Sequence, residues 1–204
     1  PKDKGQPDTY LGTNWYAGAN DNGGVHTNSG VQNFWFYLMA VGGTGTNDNG
    51  DDYDVPAIGF DQAALIAYNC LLSYLGPTSD YADARDASIA AVTDIWGVCS
   101  PEMKAVMNAW HAVGVGDAYP KAAVTVSDAS ICAGESISLF ATGGVSYAWS
   151  GPGGFVSNAQ NPVRNNAQVI HSGYYEVTAT FSNGCEGTAG INVIVNPLPA
   201  ATAL

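Results

Sequence analysis

The chain has 204 residues, 46% of them hydrophobic and only 12% charged, enough for one large or two modest domains. Six basic residues against eighteen acidic ones give a net charge of -12. That balance excludes a basic phosphate-binding stripe and argues against nucleic acid and anionic membrane surfaces as partners. No window of about 18 unbroken apolar residues offers a transmembrane helix.

The first residues, PKDKGQPDTY, show neither a charged n-region nor an apolar h-region, and there is no initial Met. The expectation is a piece of a longer chain with any signal peptide absent or removed. The segment DNGGVHTNSG follows at residues 21–30 and holds His26, one of three histidines. A lone loop histidine is most often structural or merely exposed, but these surroundings point further. Gly23 and Gly24 permit a tight or left-handed turn, which can swing Asp21 back towards the His26 ring. A carboxylate on one ring nitrogen fixes the tautomer and raises the basicity of the other. The outward nitrogen then suits an oxyanion formed in acyl transfer. Asn22 shapes the turn.

Helical periodicity comes next. NSGVQNFWFYLMAVGG is apolar almost all round, offers Asn28 or Ser29 as cap and stops at Gly42-Gly43. The loop GTNDNGDDYDV crowds Asp48, Asp51, Asp52 and Asp54 around Gly50. Such carboxylates can hold calcium, but the EF-hand pattern is not met and a solvated loop is the plainer reading. A second helix is expected over FDQAALIAYNCLLSYLG, capped by Asp61 and ended by Gly76-Pro77. A third covers SDYADARDASIAAVTDIWG, with Ile89, Val92 and Trp96 on one stripe. A fourth covers SPEMKAVMNAWHAVG, where Ser100 caps and Pro101 takes the first helical position. His111 reads as an exposed residue near that helix's C-terminus. Residues 1–119 thus read as a bundle-like α-helical unit.

The grammar then changes at GDAYPKAA. Short alternating runs (AVTVS, SISLFATG, SYAWSG, GYYEVTATF, GINVIVN) are punctuated by Gly, Ser and Asn. Residues 120–196 are therefore expected to form an all-β sandwich, with SNG as a hairpin turn and Trp149 in the core. Were the module a binder, Tyr147, Trp149 and Phe155 would be its candidate aromatics. His171 falls in a strand-end loop. The tail 197–204, NPLPAATAL without its first residue, reads as a Pro-rich linker. Fourteen of the eighteen acids lie in the first 120 residues.

Cys70, Cys99, Cys132 and Cys185 show no CxxC, so a Cys/His zinc cluster is disfavoured and two disulfides in an oxidising compartment are expected. Cys132–Cys185 would close a loop of roughly 50 residues, worth on the order of 4 kcal/mol. Cys70 and Cys99 are the other expected pair, two buried free thiols being the alternative.

The string NWYAGANDNGGVHTNSGVQNFWFYL closely resembles the thermolysin-like zinc metallopeptidase family at its helical C-terminal subdomain. The resemblance continues through AIGFDQAALIAYNCLLSYLGPTSDYADARDASIAAVTDIWG to SPEMKAVMNAWHAVGVG, covering residues 7–116. It implies that His26 donates a hydrogen bond to the tetrahedral oxyanion of a peptide substrate and that Asp21 orients its ring. It also implies a zinc cofactor whose ligands and general-base Glu lie upstream, on a half that would partner this one. No HExxH occurs here, so the chain alone should be inactive. The family's calcium ligands also lie mostly upstream. Residues 130–199 resemble immunoglobulin-like modules of the polycystic-kidney-disease type, which serve as spacers or bind polysaccharide or protein. The resulting expectation is a C-terminal piece of a secreted metalloendopeptidase; the alternative is a non-catalytic binding or spacer role.

Overall fold

The computed structural model describes residues 1–199; the last part of the expected 197–204 linker lies outside the described residues. The chain divides into two compact units, Pro1–Tyr119 and Pro120–Leu204.

The first unit is helical. A short kinked segment α1 (Asp21–Asn28) leads into α2 (Gly30–Val41), and α3 (Phe60–Ser73), α4 (Tyr81–Trp96) and α5 (Pro101–Ala112) follow. The helix starts obey capping chemistry unevenly. Ser100 Oγ accepts the Met103 amide at 3.1 Å, with Pro101 at the first helical position. Asp80 caps α4 in a reciprocal capping box with Asp83, which satisfies otherwise orphaned donors at that end. Asp61 sits in the first turn of α3 but Gly59 occupies the cap position, without a side-chain bond. Ser29 precedes α2 yet turns its hydroxyl to the His26 carbonyl at 2.8 Å.

The acidic loop is a β-hairpin, β1 (Gly43–Thr46) against β2 (Asp52–Val55). Two of its carboxylates have close partners: Asp48 accepts from Lys2 Nζ at 2.8 Å and the Thr13 amide at 2.7 Å, and Asp52 accepts from the Thr46 hydroxyl at 2.7 Å. The core gathers Val31, Trp35, Leu38, Met39, Ile66, Val92, Val106 and Trp110. Trp35 and Trp110 stack at 4.8 Å, and Trp110 Nε1 donates to Ser88 Oγ at 2.7 Å. A buried indole that keeps its hydrogen bond brings both area and a fixed orientation.

The second unit is an immunoglobulin-like sandwich. One sheet orders β4 (Ser130–Cys132), β10 (Glu186–Asn196), β9 (Gly173–Thr180), β6 (Ser146–Gly151) and β7 (Phe155–Ser157). The other orders β3 (Ala123–Val126), β5 (Ile137–Thr142) and β8 (Val163–Arg164). β4 pairs with β10 in parallel, and the β9–β10 hairpin turns at Gly184 with φ 83°. Inward residues alternate along the strands, as in β9, where Tyr175, Val177 and Ala179 are buried. Trp149 is core, 3% exposed, its Nε1 donating to the Ala159 carbonyl at 3.0 Å. Tyr147 and Phe155 are half-buried, so the three candidate aromatics form no exposed row. Tyr175 is fully buried and its hydroxyl donates to the His171 carbonyl four residues upstream.

The cysteines depart from both expected pairings. Cys70 and Cys132 are free thiols, whereas Cys99 and Cys185 are disulfide-bonded. Geometry explains the difference within each unit. Cys132 pairs with Asn196 at the far end of β10, while Cys185 directly precedes its first residue, Glu186. An 11-residue strand is about 36 Å long, and disulfide Cα atoms must lie within about 7 Å. Cys70 Sγ lies against the Ala84 carbonyl near the start of α4, and Cys99 follows that helix's other end. Twelve helical residues separate those ends by about 18 Å. Cys70 is packed instead as a small apolar residue, and burial pushes its thiol pKa up.

Candidate active-site histidine

The site begins as a backbone problem. Asp21, Asn22, Gly23 and Gly24 all have positive φ (55°, 48°, 85° and 86°). The amides of Gly23 and Gly24 both reach the Asn20 carbonyl at 3.1 Å. Four residues thus form one left-handed turn, which glycine adopts freely and Asp and Asn tolerate better than other side chains. The chain then reverses hand, and Ser29 N–H closes a right-handed turn on the Val25 carbonyl.

That change of hand brings Asp21 round to the new turn. One carboxylate oxygen contacts His26 Nδ1 and the other accepts the His26 amide at 3.0 Å. Asp21 therefore acts on the turn as an acidic cap and on the ring as an anchor. The His26 side chain is 87% exposed and that of Asp21 30%. With Nδ1 held by the carboxylate, Nε2 is left facing outward with no partner among the described residues, and it carries a proton when the ring is the imidazolium. The hydrogen bond that His26 donates to Asp21, together with the carboxylate's charge, raises the His26 pKa above 6.5, and the same bond lowers that of Asp21 below 3.8.

Beneath the turn lies a polar floor that patterning does not flag. Asn28 is buried; its Oδ1 accepts the Tyr16 amide at 2.9 Å, and its Nδ2 donates to the Tyr16 carbonyl at 3.0 Å. The Tyr81 hydroxyl donates to the Asn28 carbonyl at 2.7 Å. Burial pushes the Tyr81 pKa up to about 12, so the phenol stays a donor. Tyr81 also meets Tyr10 and Trp110 edge-on at 5.4 and 6.3 Å, which connects the floor to the core. The sequence offers Asn28 only as a helix cap; its spacing two residues after His26 is the one local hint of another task.

The other histidines are elsewhere employed. His111 Nδ1 lies 3.2 Å from the Gly116 carbonyl, and His171 Nδ1 accepts the Gln168 amide at 3.0 Å. Burial and the nearby Arg164 charge lower the His171 pKa. Among the described residues no group of three or more His, Cys, Asp or Glu could hold a metal ion.

The helical unit thus exposes an acid-anchored imidazole on a turn of reversed hand. The chain belongs to the thermolysin metallopeptidase family: the model of that family's alpha-helical domain matches residues 1–115. Similar proteins include the thermostable neutral protease NprT of Geobacillus stearothermophilus, 42% identical over 117 residues, and a bacillolysin of Brevibacillus brevis, 43% identical over 117 residues. Thermolysin of Alicyclobacillus acidocaldarius is 41% identical over 115 residues. Each alignment covers 56% of this chain and 20% of the relative, so the chain spans about a fifth of their length. Among solved structures, the PKD1 domain of Vibrio anguillarum Epp matches with a TM-score of 0.32 at 23% identity, covering 39% of this chain and 95% of that domain. The PKD1 domain of the Vibrio cholerae metalloprotease PrtV matches with a TM-score of 0.31 at 22% identity, covering 38% and 96%.

Proposed function

We propose that this chain supplies the transition-state-stabilising side of a secreted zinc metalloendopeptidase, with an accessory β-sandwich. The observation that carries the reading is the Asp21 carboxylate on His26 Nδ1, opposite an exposed Nε2. In this reading Nε2–H donates to the oxygen of a peptide carbonyl as it becomes tetrahedral. Asp21 keeps the proton on the ring and the ring in place, so little reorganisation is needed when the negative charge develops. The zinc-bearing half and its ligands belong to residues outside this chain, and proteins or peptides are the substrates. Two oxidised cysteines fit an extracellular setting, and among the described residues no helix is long and apolar enough to cross a membrane.

The test is His26→Ala in the longer, zinc-bearing protein. Turnover of a peptide substrate should fall by about 10²–10³-fold, the usual cost of one oxyanion donor, with bound zinc unchanged. A full-rate variant overturns the assignment. The 204-residue chain mixed with zinc and a peptide should show no turnover.

A further inference from the structure

We propose that Asn28 is a positioning residue, the strut that holds the Asp21 turn in register with the His26 ring. The proposal rests on the reading of His26 as the oxyanion donor and adds a residue to its machinery.

The case is geometric. Asn28 is 7% exposed, and its side-chain amide is engaged on both sides. Its Oδ1 and Nδ2 bracket one peptide unit of the entering loop by binding Tyr16 N–H and Tyr16 C=O. The same Nδ2 reaches the Gly23 carbonyl inside the left-handed turn, at a longer 3.4 Å. Gly24 sits directly on this floor. A Cβ built there would lie 3.0 Å from Asn28 Nδ2 and 2.6 Å from Tyr16 Cδ1, so the turn rests in van der Waals contact with the strut.

His26 is two residues before Asn28 on the same right-handed turn. One amide group therefore joins the entering loop, the turn that carries Asp21 and the turn that carries His26. Tyr81 fixes the strut from the other side through the Asn28 carbonyl. Only a planar group with an acceptor and two donor hydrogens satisfies these three partners at once. Alanine leaves the Tyr16 amide and carbonyl without their partner, in a place where unpaired polar groups are costly.

The electrostatics give the test its readout. Among the described residues Asp21 is the only charged group acting on the His26 ring, so the ring's titration midpoint reports how closely the carboxylate approaches. The experiment is an NMR pH titration of the three histidines in the 204-residue chain, wild type against Asn28→Ala, with circular dichroism to check the fold. The expected result is a folded variant whose His26 midpoint falls towards 6.5 while those of His111 and His171 stay in place. A folded variant whose His26 titrates as in the wild type, even with Tyr16 and Gly23 amides shifted, overturns the positioning role and leaves Asn28 merely structural. If Asn28→Ala does not fold, Asn28→Ser, whose hydroxyl keeps a single bond, is measured and judged by the same two outcomes. An unchanged rate in the His26→Ala enzyme would overturn the parent reading without altering this titration, so the two failures are distinguishable.

Discussion

Adding one methyl group at Gly24, and separately at Gly23, measures how the left-handed turn is held. Both residues have φ near 86°, so alanine at either carries the left-handed penalty of about 1–2 kcal/mol. Their surroundings differ. A Cβ on Gly23 meets nothing within 4 Å, whereas one on Gly24 lies 2.6 and 2.9 Å from Tyr16 Cδ1 and Cβ and 3.0 Å from Asn28 Nδ2. Tyr16 and Asn28 are themselves tied together by two hydrogen bonds, so the neighbours cannot give way freely. Overpacking of this kind costs about 1–3 kcal/mol more. Gly23→Ala should therefore destabilise the helical unit by about 1–2 kcal/mol and Gly24→Ala by about 2–5 kcal/mol. Equilibrium urea unfolding followed by tryptophan fluorescence is the assay, since Trp15, Trp35, Trp96 and Trp110 all lie in this unit. Equal losses for the two variants would refute the idea that the turn is seated on the Tyr16–Asn28 floor.

Other expectations follow from the same geometry. Asp80→Ala removes the side chain that accepts the Ala82 and Asp83 amides and should cost about 0.5–2 kcal/mol, read as a lower urea midpoint. A thiol reagent added without reductant should find one fast site, Cys132, and a second, Cys70, only on unfolding; Cys99 and Cys185 should react only after reduction. The pH dependence of stability carries the mark of the ion pair. The lowered Asp21 pKa gives a contribution present above 3.8 and lost as pH falls through the folded value. The raised His26 pKa gives one present below 6.5 and lost as pH rises through the folded value. The difference between wild type and Asp21→Asn should therefore be largest between those two pH values and shrink on either side, as thermal melting across the range would show.

Particular residues show where sequence reasoning reached the fold and where it did not. Ser100-Pro101 marks a helix start because its chemistry is local: a side chain reaches an amide three residues away. The alternation in GYYEVTATF and GINVIVN marks strands for an equally local reason, since one face is buried. The hairpin of residues 43–55 escaped because its Gly and Asp residues have weak strand preference, and its turn is tied down by the long-range Asp48 contacts with Lys2 and Thr13. Cysteine pairing escaped because connectivity depends on which ends of β10 and α4 the thiols occupy, which spacing does not encode. At the site, Gly23-Gly24 announced a turn, but the positive φ of Asp21 and Asn22 did not show in their residue types. Asn28 was hidden by its own versatility, as asparagine beside a helix start is ordinarily a cap.

The central claim is that the Asp21 carboxylate holds and charges the His26 ring, and one measurement addresses it most directly. It is the His26 titration by NMR in the wild-type chain and in Asp21→Asn. The account predicts a wild-type midpoint above 6.5 that drops to the ordinary imidazole range in the variant, with His111 and His171 unaffected. A His26 midpoint that is the same in both proteins would contradict it.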